Sequence, residues 1–127
     1  MDIDSHVRAC GLDEDAYAEL NYFVKVLDSN GDLVGCGGAT VKGPVAYIRI
    51  LGVVESKRRQ GIGSMILRDI VAAHRGHAIR LLPRPDRVPY YLKRGFVVAD
   101  QGERGADDYS RSAKWDGHVL MQYSPPD

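Results

Sequence analysis

The sequence predicts a single mixed α/β domain over residues 1–127, α+β in arrangement, in which an antiparallel meander is followed by a βαβ crossover. Three observations carry this. Runs rich in β-branched residues alternate with turn signals through the first half. A helical apolar period starts abruptly after a glycine-bearing turn at residues 61–63. Beyond it, short apolar runs flank one more helix-length stretch, and a strand–helix–strand unit of that kind connects as a right-handed parallel crossover.

The elements follow in order. Residues 1–20 are polar, with Asp13 placed to cap a brief helix through Leu20 that has Leu12, Ala16 and Leu20 on one side. Tyr22 to Asp28 reads as a strand. Ser29-Asn30-Gly31-Asp32 reads as a hairpin turn, because Asn-Gly tolerates positive φ at both central positions. Leu33 to Val41 returns as the second strand, where Gly35, Gly37 and Gly38 signal a bulge or a close approach. Lys42-Gly43-Pro44 turns the chain into the third strand, Val45 to Val54. From Gly61 or Ile62, the residues Ile62, Ile66, Leu67, Ile70, Val71 and His74 fall on one helical stripe, and Gly76 is the expected C′ residue. Ala78 to Leu82 is a short strand stopped by Pro83. A helix from about Asp86, its expected cap, to Arg94 ends at Gly95, and Phe96 to Ala99 is the next strand. Residues 100–117 are Gly-, Asp- and Arg-rich without periodicity, the mark of a functional or disordered loop. His118 to Tyr123 is the last strand.

Composition narrows the function classes. The 17 Lys and Arg balance 17 Asp and Glu, which argues against a general nucleic-acid binder and makes the basic run Lys57-Arg58-Arg59 a local patch. No apolar run approaches the ~18 residues of a membrane span, and no secretory leader is visible at Asp2 and Asp4, so no membrane partner is expected. Two cysteines, Cys10 and Cys36, make no disulfide framework, and the simplest expectation is a reduced, cytoplasmic protein. His6 and Cys10, or His74 and His77, lack a second pair to complete a metal site, so no metal is expected.

The chain is organised around Tyr47 to Ser64. An apolar strand runs into the turn Glu55-Ser56-Lys57-Arg58-Arg59-Gln60-Gly61-Ile62-Gly63-Ser64, and a helix starts there. Glycines let backbone N–H groups come close to an anion, and the first N–H groups of a helix have no internal partner. The helix dipole favours negative charge at that end. The spacing is not a P-loop, since no Lys-Ser or Lys-Thr follows the second glycine. It is not the dinucleotide pattern either, which needs a third glycine.

What remains, Leu51-x-Val53, four residues, then Arg58-x-x-Gly61-x-Gly63, resembles the pyrophosphate-binding signature of the GNAT superfamily of acetyl-CoA-dependent N-acetyltransferases. Pro89-Tyr90-Tyr91-Leu92-Lys93-Arg94-Gly95-Phe96 resembles the second motif of that family, and the likeness covers roughly residues 20–123. It implies a GNAT-like mixed sheet and transfer of an acetyl group from acetyl-CoA, a cosubstrate, to a primary amine of a small molecule, a protein lysine or a protein N-terminus. It implies that Arg58, Arg59, Gln60, Gly61, Ile62, Gly63 and Ser64 hold the pyrophosphate, mainly through backbone N–H groups. The pantetheine then lies along Leu51, Gly52 and Val53, where one backbone N–H serves the acetyl oxygen as an oxyanion donor. Tyr91 aligns with the general acid that protonates the leaving thiolate, and Tyr90 is read as packing.

Two departures stand out. Many members carry a carboxylate on the central strand, where this chain has Tyr47, Ile48, Arg49 and Ile50. The general base is left among Glu19, Glu55, a residue of the 100–117 loop, or water. Arg49 attracts an anionic substrate group or makes a surface ion pair. Arg84 stands where many members have a cofactor-contacting Asn. The N-terminal region is also short for the family, which leaves the acceptor side open or completed by a partner subunit, as in a homodimer. The missing carboxylate keeps a second reading in play, an acyl-CoA-binding or protein-interaction module of reduced catalytic power on the same fold.

Overall fold

The computed structural model describes residues 20–101 and 116–124. The helix expected from Asp13 to Leu20 (all but its last residue), the cysteine at position 10 and most of the 100–117 loop fall outside the described residues. The fold is mixed α/β, and the chain divides into two compact units, Met1–His77 and Ala78–Asp127.

The first unit is the meander and the helix that seats on it. Strands β1 (Tyr22–Leu27), β2 (Leu33–Lys42) and β3 (Val45–Val53) pair antiparallel in sequence order. The β1–β2 turn departs from expectation. Gly31 takes φ +84°, but Asn30 does not have a positive φ. Instead the Asp28 carboxylate accepts the N–H groups of Asn30 at 2.9 Å and Asp32 at 3.0 Å, and Gly31 N–H returns to the Asp28 carbonyl at 3.0 Å. An aspartate at the head of the turn thus shapes it where a mirror-image Asn-Gly pair was expected. At the second turn, Gly43 takes φ +59° ahead of Pro44 and joins the paired residues Lys42 and Val45.

Helix α1 (Ile62–Ala73) buries Ile66, Leu67 and Ile70, and His74 beyond its end is buried too. The glycines of β2 resolve into both expected kinds. Gly35 and Gly37 lie under α1: a Cβ at 35 would stand 2.9 Å from Ile66 Cδ1 and 3.1 Å from Ile62 Cγ2. Between Gly38 and Ala39 the register slips, so that Gly38 faces Ile50 and Ala39 faces Ile48, and Arg49 is the extra residue of a bulge. On the face of β2 away from α1, Cys36 and Ile50 pack with Leu20, Phe23, Leu33 and Val54. The far end of α1 is tied to β1. Tyr22 donates its hydroxyl to Asp69 at 2.5 Å and sets its ring edge-on to His74, with centroids 5.2 Å apart. His74 in turn meets the Ile70 carbonyl with Nδ1 at 2.7 Å. Gly76, expected at C′, takes φ +95° two residues beyond the C-cap His74.

In the second unit, β6 (Met121–Tyr123) pairs antiparallel with both β4 (Ala78–Leu81) and β5 (Phe96–Val98). Strands β4 and β5 are therefore parallel to each other with the last strand between them. This is the strand–helix–strand crossover read from sequence, opened to admit β6. The last strand begins at Met121, not His118, although Val119 N–H still reaches the Pro83 carbonyl at 2.9 Å. Gln101 fastens the ends of β5 and β6. Its amide oxygen accepts Leu120 N–H at 3.0 Å, and its amide nitrogen donates to the carbonyls of Ala99 and Leu120. The connecting helix α2 is shorter than expected, Val88–Leu92, and its N-cap is Arg87. Asp86 does not cap it. Pro85 opens a 3₁₀ turn over Pro85–Arg87 that takes Asp86 up, exposed, one turn too early.

Candidate functional site

The site residues of the first unit are contiguous, and local rules explain their geometry. The last paired residues of β3 are Gly52, opposite Cys36, and Val53, opposite Gly35. Leu51 and Val53 sit opposite the two glycines that α1 covers, so their side chains share that helix-bearing face. Their packing role and any ligand role of their backbone are thus compatible. After β3 the chain makes a 3₁₀ turn over Glu55–Lys57, closed by Lys57 N–H to the Val54 carbonyl at 2.9 Å. Arg58 is extended, with φ −68° and ψ 157°. Arg59 then takes φ +69° and Gly61 φ +80°. Arg59 is the only non-glycine residue of positive φ among the described residues, and for an L side chain that conformation is costly.

The first helical bond of α1 runs from Met65 N–H to the Gly61 carbonyl at 3.0 Å. The N–H groups of residues 59–63 come before it and donate to no acceptor among the described residues. A run of successive amides in a turn of alternating hand, at the positive end of a helix dipole, is an anion cradle. Arg58, Arg59, Gln60 and Gly61 are exposed; Ile62, Gly63 and Ser64 are half-buried as the helix turns onto the sheet. A Cβ at Gly61 would meet nothing within 4 Å, so the space beside the turn is open. These residues fit a diphosphate. The Arg58 side chain turns back toward the strand, and its Nε donates to the Val53 carbonyl at 3.0 Å. No periodicity or spacing in the sequence signals that bond.

Tyr91 belongs to the second unit, half-buried on α2. Its ring stands edge-on to Tyr90 with centroids 5.1 Å apart, and to Phe96 with centroids 5.9 Å apart. Burial pushes its phenol up to about 12; the neighbouring Tyr90 adds to the rise, and the guanidiniums of Arg87 and Arg94 oppose it. Tyr90 has the packing role expected of it. Arg94 stacks on its ring, 3.5 Å from the centroid, and donates Nη1 to its carbonyl at 2.7 Å. Gly95 then takes φ +91°, where a Cβ would stand 2.9 Å from the Tyr123 ring. Arg84 is exposed ahead of the 3₁₀ turn. Of the candidate bases, Glu55 is exposed at the start of its turn and Glu19 lies outside the described residues. The described residues contain no group of His, Cys, Asp or Glu placed to hold a metal, and none of their helices is long and apolar enough to cross a membrane.

A strand that ends in an amide-lined basic turn at a helix N-terminus is an arrangement whose unpaired N–H groups and dipole suit an anion. The model of the GNAT acetyltransferase domain matches residues 19–98, and the chain belongs to that family. Solved structures share the fold. N-acetylglutamate synthase from Neisseria gonorrhoeae, complexed with coenzyme A and L-arginine, superposes with a TM-score of 0.75 at 19% identity, over 97% of this chain and 31% of that one. Rv2747 from Mycobacterium tuberculosis, in complex with CoA and NLQ, gives 0.72 at 16% identity over 98% and 95%. The PaiA N-acetyltransferase of Thermoplasma acidophilum, in complex with coenzyme A, gives 0.62 at 17% over 81% and 60%. This chain spans only 27–31% of the length of the Neisseria synthase. At these identities the likeness is one of fold. No curated relative matches the chain.

Proposed function

We propose that this chain is an N-acetyltransferase, acting as one domain, that moves the acetyl group of acetyl-CoA to a primary amine of a small molecule or a protein. The observation that carries the reading is the run of amides at residues 59–63 with no acceptor among the described residues, at the turn that carries the family's signature. Those amides, with Ser64, hold the cosubstrate's diphosphate, and Arg59 adds charge attraction. The cosubstrate supplies a thioester whose carbonyl the amine attacks, forming C–N and breaking C–S; the nitrogen gives up one proton to water, and the departing thiolate takes up another. A backbone N–H of Leu51 or Val53 faces the acetyl oxygen as charge builds there. Tyr91 gives the proton to the thiolate. Its raised phenol supports this role, because it is fully protonated at neutral pH. Coenzyme A complexes among proteins of the same fold support the choice of cosubstrate.

A second reading, an acyl-CoA-binding module without turnover, is favoured by β3 itself. Its positions 47–50 hold no carboxylate, and Tyr47, Ile48 and Ile50 are buried. Titration calorimetry with acetyl-CoA, run beside a thiol-release assay on a panel of amino acids, polyamines and peptides, separates the two. Binding with acetyl-CoA-dependent thiol release on any amine supports the transferase. Binding with no release across the panel supports the module, and no binding overturns both.

A further inference from the structure

We propose that Arg58 is a positioning residue, whose Nε–H locks the end of β3 to the anion turn and holds in direction the strand carbonyl that a bound acyl-CoA meets. The inference rests on the reading of the turn as a CoA site. Successive residues of a strand turn their N–H and C=O groups to alternate edges. Val54 N–H goes to the Val34 carbonyl at 2.9 Å, so Val54 faces β2 and Val53 turns its carbonyl to the other edge. The proposed function puts the acetyl oxygen against a backbone N–H of Leu51 or Val53, and Val53 turns its N–H to that same edge. The Val53 carbonyl is already bonded there, to Arg58 Nε at 3.0 Å.

Two consequences follow from that bond. It fills one of the two acceptor positions of the Val53 carbonyl, so a pantetheine amide that reaches this edge meets a carbonyl already bonded and held in direction by Arg58. It also closes a short ring of chain, Val53 to Arg58, around the 3₁₀ turn. Inside this ring Arg58 N–H reaches the Glu55 carbonyl at 3.3 Å. The ring holds the left-handed Arg59 and the amides after it at a set distance from the strand. A positive charge does neither of these things. The function belongs to a donor at the fourth side-chain atom, counted from Cβ.

That distinction gives a test in which charge and position predict opposite orders. Glutamine places an N–H donor at the same atom count as Arg Nε and carries no charge. Lysine keeps the charge but puts its ammonium one atom further out. Calorimetry with coenzyme A on the wild-type chain, Arg58→Gln, Arg58→Lys and Arg58→Ala reads the order, with thermal unfolding to confirm each variant is folded. Positioning predicts Arg58→Gln within about threefold of wild type, and Arg58→Lys and Arg58→Ala both weaker by about tenfold or more, the effect of leaving a strand carbonyl without its donor. The reverse order, lysine retained and glutamine lost, overturns the proposal and leaves the CoA site standing, as do equal affinities for all four. Failure of the wild-type chain itself to bind coenzyme A overturns the CoA site and this inference with it.

Discussion

Ile66 of α1 lies directly over Gly37 of β2, so that a Cβ on residue 37 would run into Ile66 Cγ2 and stand 2.9 Å from Ile70 Cδ1. The helix that follows the amide-lined turn is thus seated by a missing side chain. The side chains of Ile66 and Ile70 fill the space that an alanine methyl at 37 would need. Gly37→Ala should destabilise the chain by about 1–3 kcal/mol, the usual cost of overpacking a core. The double variant with Ile66→Ala should lose less than the sum of the two single changes, because the second removes what the first strikes. Urea unfolding of the three variants reads both, and additive losses would contradict the contact.

Arg59 carries the turn's backbone strain. Arg59→Gly and Arg59→Ala remove the same charge and differ only in how they bear φ +69°. The glycine variant should be the more stable by about 0.5–1 kcal/mol, the left-handed penalty less the extra freedom of glycine in the unfolded chain. If the amides hold the anion and the exposed side chain only attracts it, coenzyme A affinity should fall by no more than about fivefold in both. A much larger, equal loss would move the binding from backbone to side chain.

The Asp28 carboxylate shapes the β1–β2 turn through two backbone N–H groups. Asp28→Ala should cost about 1–2 kcal/mol in chemical unfolding, while Asp28→Asn, which keeps the accepting oxygen, should cost less than half of that. Equal losses would mean that the charge, not the turn geometry, is what matters.

Tyr91 makes a kinetic and a pH prediction. Tyr91→Phe keeps the ring against Phe96 and removes the proton donor, so kcat should fall about a hundredfold with KM for acetyl-CoA within about threefold. An unchanged kcat removes Tyr91 from the chemistry. The folded phenol sits at about 12 against an ordinary 10.0, so between those values the folded chain keeps a proton that the unfolded chain has lost. Stability therefore falls as pH rises through that window and is unaffected below it. The wild-type chain should lose stability more steeply there than Tyr91→Phe. In the activity profile no alkaline loss below about pH 10 should trace to Tyr91.

The amino-acid pattern alone determined where the chain bends and which faces it hides. The stripe Ile62, Ile66, Leu67 and Ile70 fixed α1, the run into Gly61 and Gly63 fixed a turn before it, and Tyr91 ahead of Gly95-Phe96 fixed the family resemblance that the domain match bears out. Periodicity carries that information because burial repeats with the helix and strand periods. It stopped at Asp86, where Pro85 draws the chain into a 3₁₀ turn before a cap can form, and at Asn30, where a neighbouring carboxylate overrides the local turn preference. Tertiary structure alone decided that Gly35 and Gly37 lie under α1, that Arg49 is the odd residue of a bulge, and that Arg58 spends its Nε on the Val53 carbonyl. Each of these depends on where two separated backbone segments come to rest. A distance of that kind is a sum over every dihedral between them, and no single residue in the string encodes it.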